Sequence, residues 1–127
     1  MTKLLIIGLG GFAGAILRYG ISGTIQSASK SISFPFGTLG VNVIGCFFIG
    51  LLSYLVETRG LFTPETRLFL MIGLLGSLTT FSTFGNETFQ LMRDSAFILA
   101  AANIGAQVFA GLTAVWCGRI MAHALWG

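Results

Sequence analysis

Residues 34–56 read FPFGTLGVNVIGCFFIGLLSYLV, a run without a single charge. Wound as a helix it is about 35 Å long, enough to cross a hydrocarbon core of about 30 Å. It is too long for a membrane strand and does not alternate. Three further runs stand around it. Leu4–Gln26 holds one charge, Arg18; Leu68–Leu91 holds one, Glu87; Phe97–Gly118 holds none. The spacing predicts an all-α integral membrane protein of four transmembrane helices, residues 4–26, 34–56, 68–91 and 97–118, in one domain covering residues 1–127. The connections Ser27–Ser33, Glu57–Arg67 and Met92–Ala96 are short, so successive helices run antiparallel.

Composition agrees. Of 127 residues, 54% are hydrophobic and 9% charged, against about 25% charged in an average soluble domain. So few charges cannot cover the surface of a small water-soluble fold. A soluble enzyme, a disordered chain and a basic nucleic-acid binder are excluded; seven cations against four anions make no patch. The first run exceeds the apolar stretch of a signal peptide and carries Arg18 inside it, so it reads as a span. Cys46 and Cys117 lie far apart in apolar surroundings and read as small packed hydrophobes. Gly8-Leu9-Gly10-Gly11-Phe12-Ala13 fits a loose dinucleotide fingerprint, but the next acid is Glu57, far too late for the ribose partner.

Charge placement addresses orientation. One side of the bundle carries Lys3, Arg59, Arg67 and Arg119; the other carries Lys30, Arg93 and, if counted, Arg18. The positive-inside rule needs an excess that this chain lacks. Either other factors settle the topology, or copies insert both ways and an antiparallel homodimer follows naturally.

Polar groups at membrane depth are costly and usually face a bundle interior or an aqueous path. Arg18 either snorkels to the interface or puts a fixed positive charge in a vestibule. Asn42 either bonds a neighbouring helix or aims its amide at a dehydrated anion. The run Gly73–Glu87 is unusual for a spanning helix: Gly73 and Gly76 precede Ser77, Thr79, Thr80, Ser82 and Thr83. Such composition favours a broken third helix near Gly76–Thr80. Freed carbonyls there can coordinate a hard cation such as Na⁺. Phe81 and Phe84, three apart, share a face, and Thr80, Phe84 and Glu87 lie on an overlapping one. Ring edges are positively polarised and suit a small anion, whereas ring faces are negatively polarised and suit a cation. Glu87 is the one carboxyl well inside a span, and Asn86-Glu87-Thr88 matches a glycosylation sequon too deep to be used. In the fourth span Asn103 and Gln107 share a face. Gly10 and Gly14, and the Ala110, Ala114, Gly118 stripe, read as close helix packing.

These residues resemble a known family. Gly10-Gly11-Phe12-Ala13-Gly14-Ala15 with Arg18-Tyr19, Gly37-Thr38-Leu39-Gly40-Val41-Asn42 with Gly45, Gly76-Ser77-Leu78-Thr79-Thr80-Phe81-Ser82-Thr83-Phe84, and Asn103 together are similar to the Fluc/CrcB fluoride channels. The resemblance covers the whole chain, and the third-span segment is its most specific piece. It implies a dual-topology antiparallel homodimer with two fluoride pores in the lipid bilayer of the cell (inner) membrane. It implies a structural Na⁺ at the dimer centre, held by the backbone carbonyls of Gly76 and Thr79. The pore residues it implies are Phe81, Phe84, Asn42, Ser82, Thr83 and Glu87, with Arg18 in the vestibule. Where many members carry a serine in the fourth helix this chain has Gln107, carried as a further pore position.

No phosphate loop is evident, so transport is expected to be passive. The rival reading is a proton-coupled small multidrug-type exporter, which typically needs an acid in the first helix, where this chain has Arg18. A non-transporting assembly subunit explains the glycines but not the hydroxyl-aromatic cluster. An intramembrane enzyme lacks a histidine at depth, since His123 lies in the tail.

Overall fold

The computed structural model describes all 127 residues. It is entirely helical: α1 (Thr2–Ser29), α2 (Phe36–Arg59), α3 (residues 64–78), α4 (Phe81–Arg93) and α5 (Phe97–Trp126). Four segments are long and apolar enough to cross a membrane: α1, α2, Pro64–Arg93 (which comprises α3 and α4) and α5.

Local chemistry sets the ends. Gly60, at φ 59°, closes α2 in the left-handed conformation that glycine adopts at least cost, and its N–H returns to the Val56 carbonyl. Thr63 caps α3, its Oγ1 accepting from the Thr66 N–H, with Pro64 in the first turn. Within α3, Leu68–Leu75 is wound as a π-helix. Gln26 ties down the α1–α2 connection: its Nε2 donates to the carbonyls of Ser31 (2.7 Å) and Phe34 (3.2 Å), and its Oε1 accepts from the Gly37 N–H (2.9 Å).

The helices outrun the spans expected from hydropathy, most of all α5, which continues past residue 118 to Trp126. Hydropathy falls where charges begin, whereas a helix continues as long as its backbone bonds do. Past the apolar stretch Arg119 reaches Glu57 with two bonds, of 2.7 and 3.3 Å, and the Tyr54 hydroxyl meets His123 Nδ1 at 2.7 Å. These contacts fasten the end of α5 to the end of α2.

α2 lies along α5, and α1 along α3. Both pairs approach backbone to backbone. A Cβ on Gly50 would strike the Val115 carbonyl, and one on Gly118 the Phe47 carbonyl. A Cβ on Gly10 would strike the Phe69 carbonyl, and one on Gly14 the Leu74 carbonyl. Where lipid surrounds the protein, packing rather than the hydrophobic effect draws helices together, so such approaches carry the bundle. Only 19 of 127 residues are buried, and the small apolar core is Val41, Leu75 and Leu78 with Ile21, Ile49, Leu52 and Leu74 around it.

Gly118→Ala is therefore expected to destabilise the bundle by about 1–3 kcal/mol through overpacking. Gly8→Ala, where a Cβ meets nothing within 4 Å, is expected to be neutral or to stabilise by up to about 1 kcal/mol. Thermal unfolding in detergent reads both; equal midpoints for the two variants refute the close-approach account.

Candidate functional site

Between α3 and α4 the backbone leaves the helical conformation at two residues, Thr79 (φ −91°, ψ 153°) and Thr80 (φ −149°, ψ 120°). This happens at the middle of the third membrane-length segment. Every backbone group released there needs a partner. Asn42, projecting from α2, supplies two of them. Its Oδ1 accepts from the Thr80 N–H at 2.9 Å, and its Nδ2 donates to the Thr80 carbonyl at 3.2 Å. The second Nδ2 hydrogen goes to Gln107 Oε1 on α5 at 3.1 Å. Asn42 thus joins α2, the extended segment and α5.

Thr80 then starts α4. Its Oγ1 accepts from the Thr83 N–H at 3.3 Å, and its hydroxyl contacts Thr83 Oγ1 (3.1 Å) and Ser82 Oγ (3.2 Å). In an unbroken helix the N–H groups of Thr80 and Thr83 would bond the carbonyls of Gly76 and Thr79. Both N–H groups are diverted, one to Asn42 Oδ1 and one to Thr80 Oγ1. The Gly76 and Thr79 carbonyls are left available, and hard oxygen donors of this kind suit a hard cation. Thr79 itself bonds back to the Leu75 carbonyl through its N–H and its hydroxyl, each at 3.1 Å.

A cavity of about 460 Å³ opens beside this segment, lined by Asn42, Gly76, Thr79, Thr80, Phe81, Phe84 and Gln107 together with apolar residues of α2 and α3. Phe81 and Phe84 meet edge to face, with ring centroids 5.3 Å apart and planes at 70°. Phe81 is 82% exposed, so its ring stands at the open face of the cavity. The Nε2 of Gln107 is buried without a partner. It is the free donor of the site, because Asn42 spends both of its own N–H groups on protein acceptors.

A second cavity, of about 790 Å³, lies toward the α1–α2 and α4–α5 connections and is lined by Ser22, Gln26, Thr38, Glu87, Gln90 and Asp94 among others. Glu87 Oε1 accepts from the Thr38 hydroxyl at 2.7 Å, and its Oε2 is buried without a partner. Ser82 and Thr83 are exposed on α4 and line neither cavity; half-buried Arg18 also lines neither.

The structure therefore brings Asn42, Gln107, Phe81, Phe84, Gly76 and Thr79 to one cavity and puts Glu87 on another. Asn42 makes the helix-joining bonds of the first of its two readings. Sequence reasoning missed Thr38 as the partner of Glu87 and Gln26 as the clamp on the first connection. The i, i+4 relation of Thr38 to Asn42 on one face of α2 was the available signal for the former.

The family model described as "CrcB-like protein, Camphor Resistance (CrcB)" matches residues 5–119. A protein of Methanosarcina acetivorans named fluoride-specific ion channel FluC 1 is 49% identical over 122 residues, 96% of this chain and 92% of that protein. Proteins named fluoride-specific ion channel FluC are 43% identical in Elusimicrobium minutum, over 93% of this chain and 91% of that one, and in Methanococcus maripaludis, over 99% of this chain and 100% of that one.

Asn42→Leu is expected to leave both backbone groups of Thr80 without partners and to cost about 2–6 kcal/mol of stability, each buried orphan costing about 1–3 kcal/mol. Gln107→Leu removes one acceptor and is expected to cost less than half as much. Denaturation in detergent checks the order; a Gln107→Leu loss equal to that of Asn42→Leu contradicts the clamp.

Proposed function

We infer the function from one premise, that the chain belongs to the CrcB-like family: it is a fluoride-selective channel that lets the anion leave the cell passively and so limits its toxicity. The observation that carries this is the similarity to proteins named fluoride-specific ion channels at 43–49% identity over nearly the whole chain. The protein is a multi-pass membrane protein and not an enzyme. A proton-coupled exporter finds no support in these relatives, and α1 carries no acid.

Fluoride is small and strongly hydrated, so a pore that selects it must replace most of its water. The donors at hand are the free Nε2 of Gln107, the hydroxyls of Ser82 and Thr83, and the ring edges of Phe81 and Phe84. Each is weak, which lets the ion leave again. Asn42 acts through Thr80, holding the start of α4 where the rings stand. Glu87 belongs to the inner wall of the second cavity, which serves as a mouth, and Arg18 would raise the local anion concentration.

The working unit is an antiparallel, dual-topology homodimer with two pores, in the cell (inner) membrane. Two features favour it. The basic residues are shared almost evenly between the two sides, and the polar face of α4 (Ser82, Thr83, Asn86) is exposed at a depth where lipid is a poor neighbour. The carbonyls of Gly76 and Thr79, freed as described, would hold a structural Na⁺ between the two copies. The cation would supply a partner for these released carbonyl oxygens, which would coordinate it as hard donors.

Liposomes containing the purified protein are expected to lose fluoride rapidly on addition of valinomycin, with no matching loss of chloride. Phe81→Ile and Phe84→Ile are expected to slow that loss by about tenfold or more, the equivalent of about 1.4 kcal/mol at the barrier. A fluoride electrode reads the flux. A folded protein that passes no fluoride, or variants that pass it at the unaltered rate, defeats the channel reading and the ring-edge role respectively.

A further inference from the structure

α4 inherits no direction from α3, because the backbone leaves the helical conformation at Thr79 and Thr80. Its roll about its own axis must come from sideways contacts, and these are few, the bond from the Thr38 hydroxyl of α2 to Glu87 at one side among them. Thr88 and Leu91 are its only buried residues. Thr88, 5% exposed, meets Asn103 of α5, which is fully buried. The Thr88 hydroxyl donates its one hydrogen to the carbonyl of Phe84 at 2.8 Å. Its lone pairs are left to accept, and Asn103 Nδ2 donates to them at 2.9 Å. The two bonds form a directed relay that starts on α5 and ends on the backbone of Phe84 itself.

We propose that Asn103 is a positioning residue for the ion path: through Thr88 it sets the roll of α4 and so holds Phe81 and Phe84 at the cavity. The inference rests on the channel reading above for what the rings do, but its geometry stands apart from it. Side-chain tips stand about 5–6 Å from a helix axis, so a roll of roughly 20° carries a ring about 2 Å. That displacement is comparable to the size of a dehydrated anion's contact shell. Simple packing does not account for the amide. Asn103 Oδ1 is buried without a partner, and an apolar side chain of the same shape would avoid that penalty. What the amide adds is direction. Leu91, the other buried residue of α4, fills space but fixes no angle, since apolar contact is not directional.

The test compares Thr88→Ser with Thr88→Cys in the full protein. Both are smaller than threonine, and they differ in the atom that bears the hydrogen; a thiol is a weak donor and a weak acceptor. T88S is expected to pass fluoride within about twofold of the unaltered protein, and T88C about tenfold less, the weight of one buried hydrogen bond. Asn103→Leu should match T88C, and in both the preference for fluoride over chloride should fall, which a mere loss of folded protein would not cause. Equal flux and equal preference in T88S and T88C overturn the proposal. Fluorine NMR of a para-fluorinated Phe84 reads the ring without any transport. One line shared by the unaltered protein and T88S, and shifted or broadened in T88C, supports the tether; a line unmoved in T88C overturns it. Absence of fluoride flux from the unaltered protein overturns the channel reading alone, and the NMR comparison then decides the tether.

Discussion

Two residues of extended backbone in the middle of a membrane span govern this protein. Hydrocarbon offers no water to pair with released N–H and C=O groups, each of which would cost several kcal/mol unmet. At Thr80 the debt is met by one side chain. Asn42 presents an acceptor to the N–H and a donor to the carbonyl, a pairing that an ionised carboxylate, which only accepts, cannot supply. The Thr80 hydroxyl then meets the Thr83 N–H. The same bonds divert the N–H groups of Thr80 and Thr83 that an unbroken helix would give to the Gly76 and Thr79 carbonyls.

The rest of the bundle brings Asn42 to that place. The Asn42 side chain is short, so its amide reaches Thr80 and Gln107 only because the helices approach closely. Gly50 and Gly118 let α2 and α5 touch backbone to backbone, and Gly10 and Gly14 do the same for α1 against the π-wound part of α3. Gly45 faces the Thr79 methyl so tightly that any Cβ would collide with it. The glycines that a reader of sequence counts as packing devices are therefore also what sets the reach of the polar side chains.

The distribution of burial follows from the solvent. Large apolar side chains such as Phe12, Phe109, Leu112 and Trp116 are exposed, as they should be where lipid is the neighbour. The informative exposures are polar. α4 turns Ser82, Thr83 and Asn86 outward at depth, while inside it keeps a hydroxyl–amide pair with almost no access to solvent or lipid. Such a helix is stable in a bilayer only when something polar, water or another protein surface, covers its outer face.

Much of this was legible in the sequence. Runs of membrane length with at most one charge each determine four spanning segments, because burying charges in hydrocarbon is costly. The hydroxyls, glycines and paired phenylalanines of residues 73–87 mark the unusual segment, and Asn42, Glu87 and Gln107 stand out as polar groups at depth. Periodicity assigns each of them to a helix face but says nothing of what lies across from that face. That α5 runs on to Trp126 depends on Arg119 finding Glu57, sixty-two residues away in sequence. That Asn42 spends its donors on protein, that Gln107 keeps one free, that Glu87 pairs with Thr38 and Asn103 with Thr88, were decided by the tertiary structure alone. Each depends on the distance and relative roll of two helices, set by backbone contacts at a few glycines, and a hydrogen bond tolerates errors of only a few tenths of an ångström.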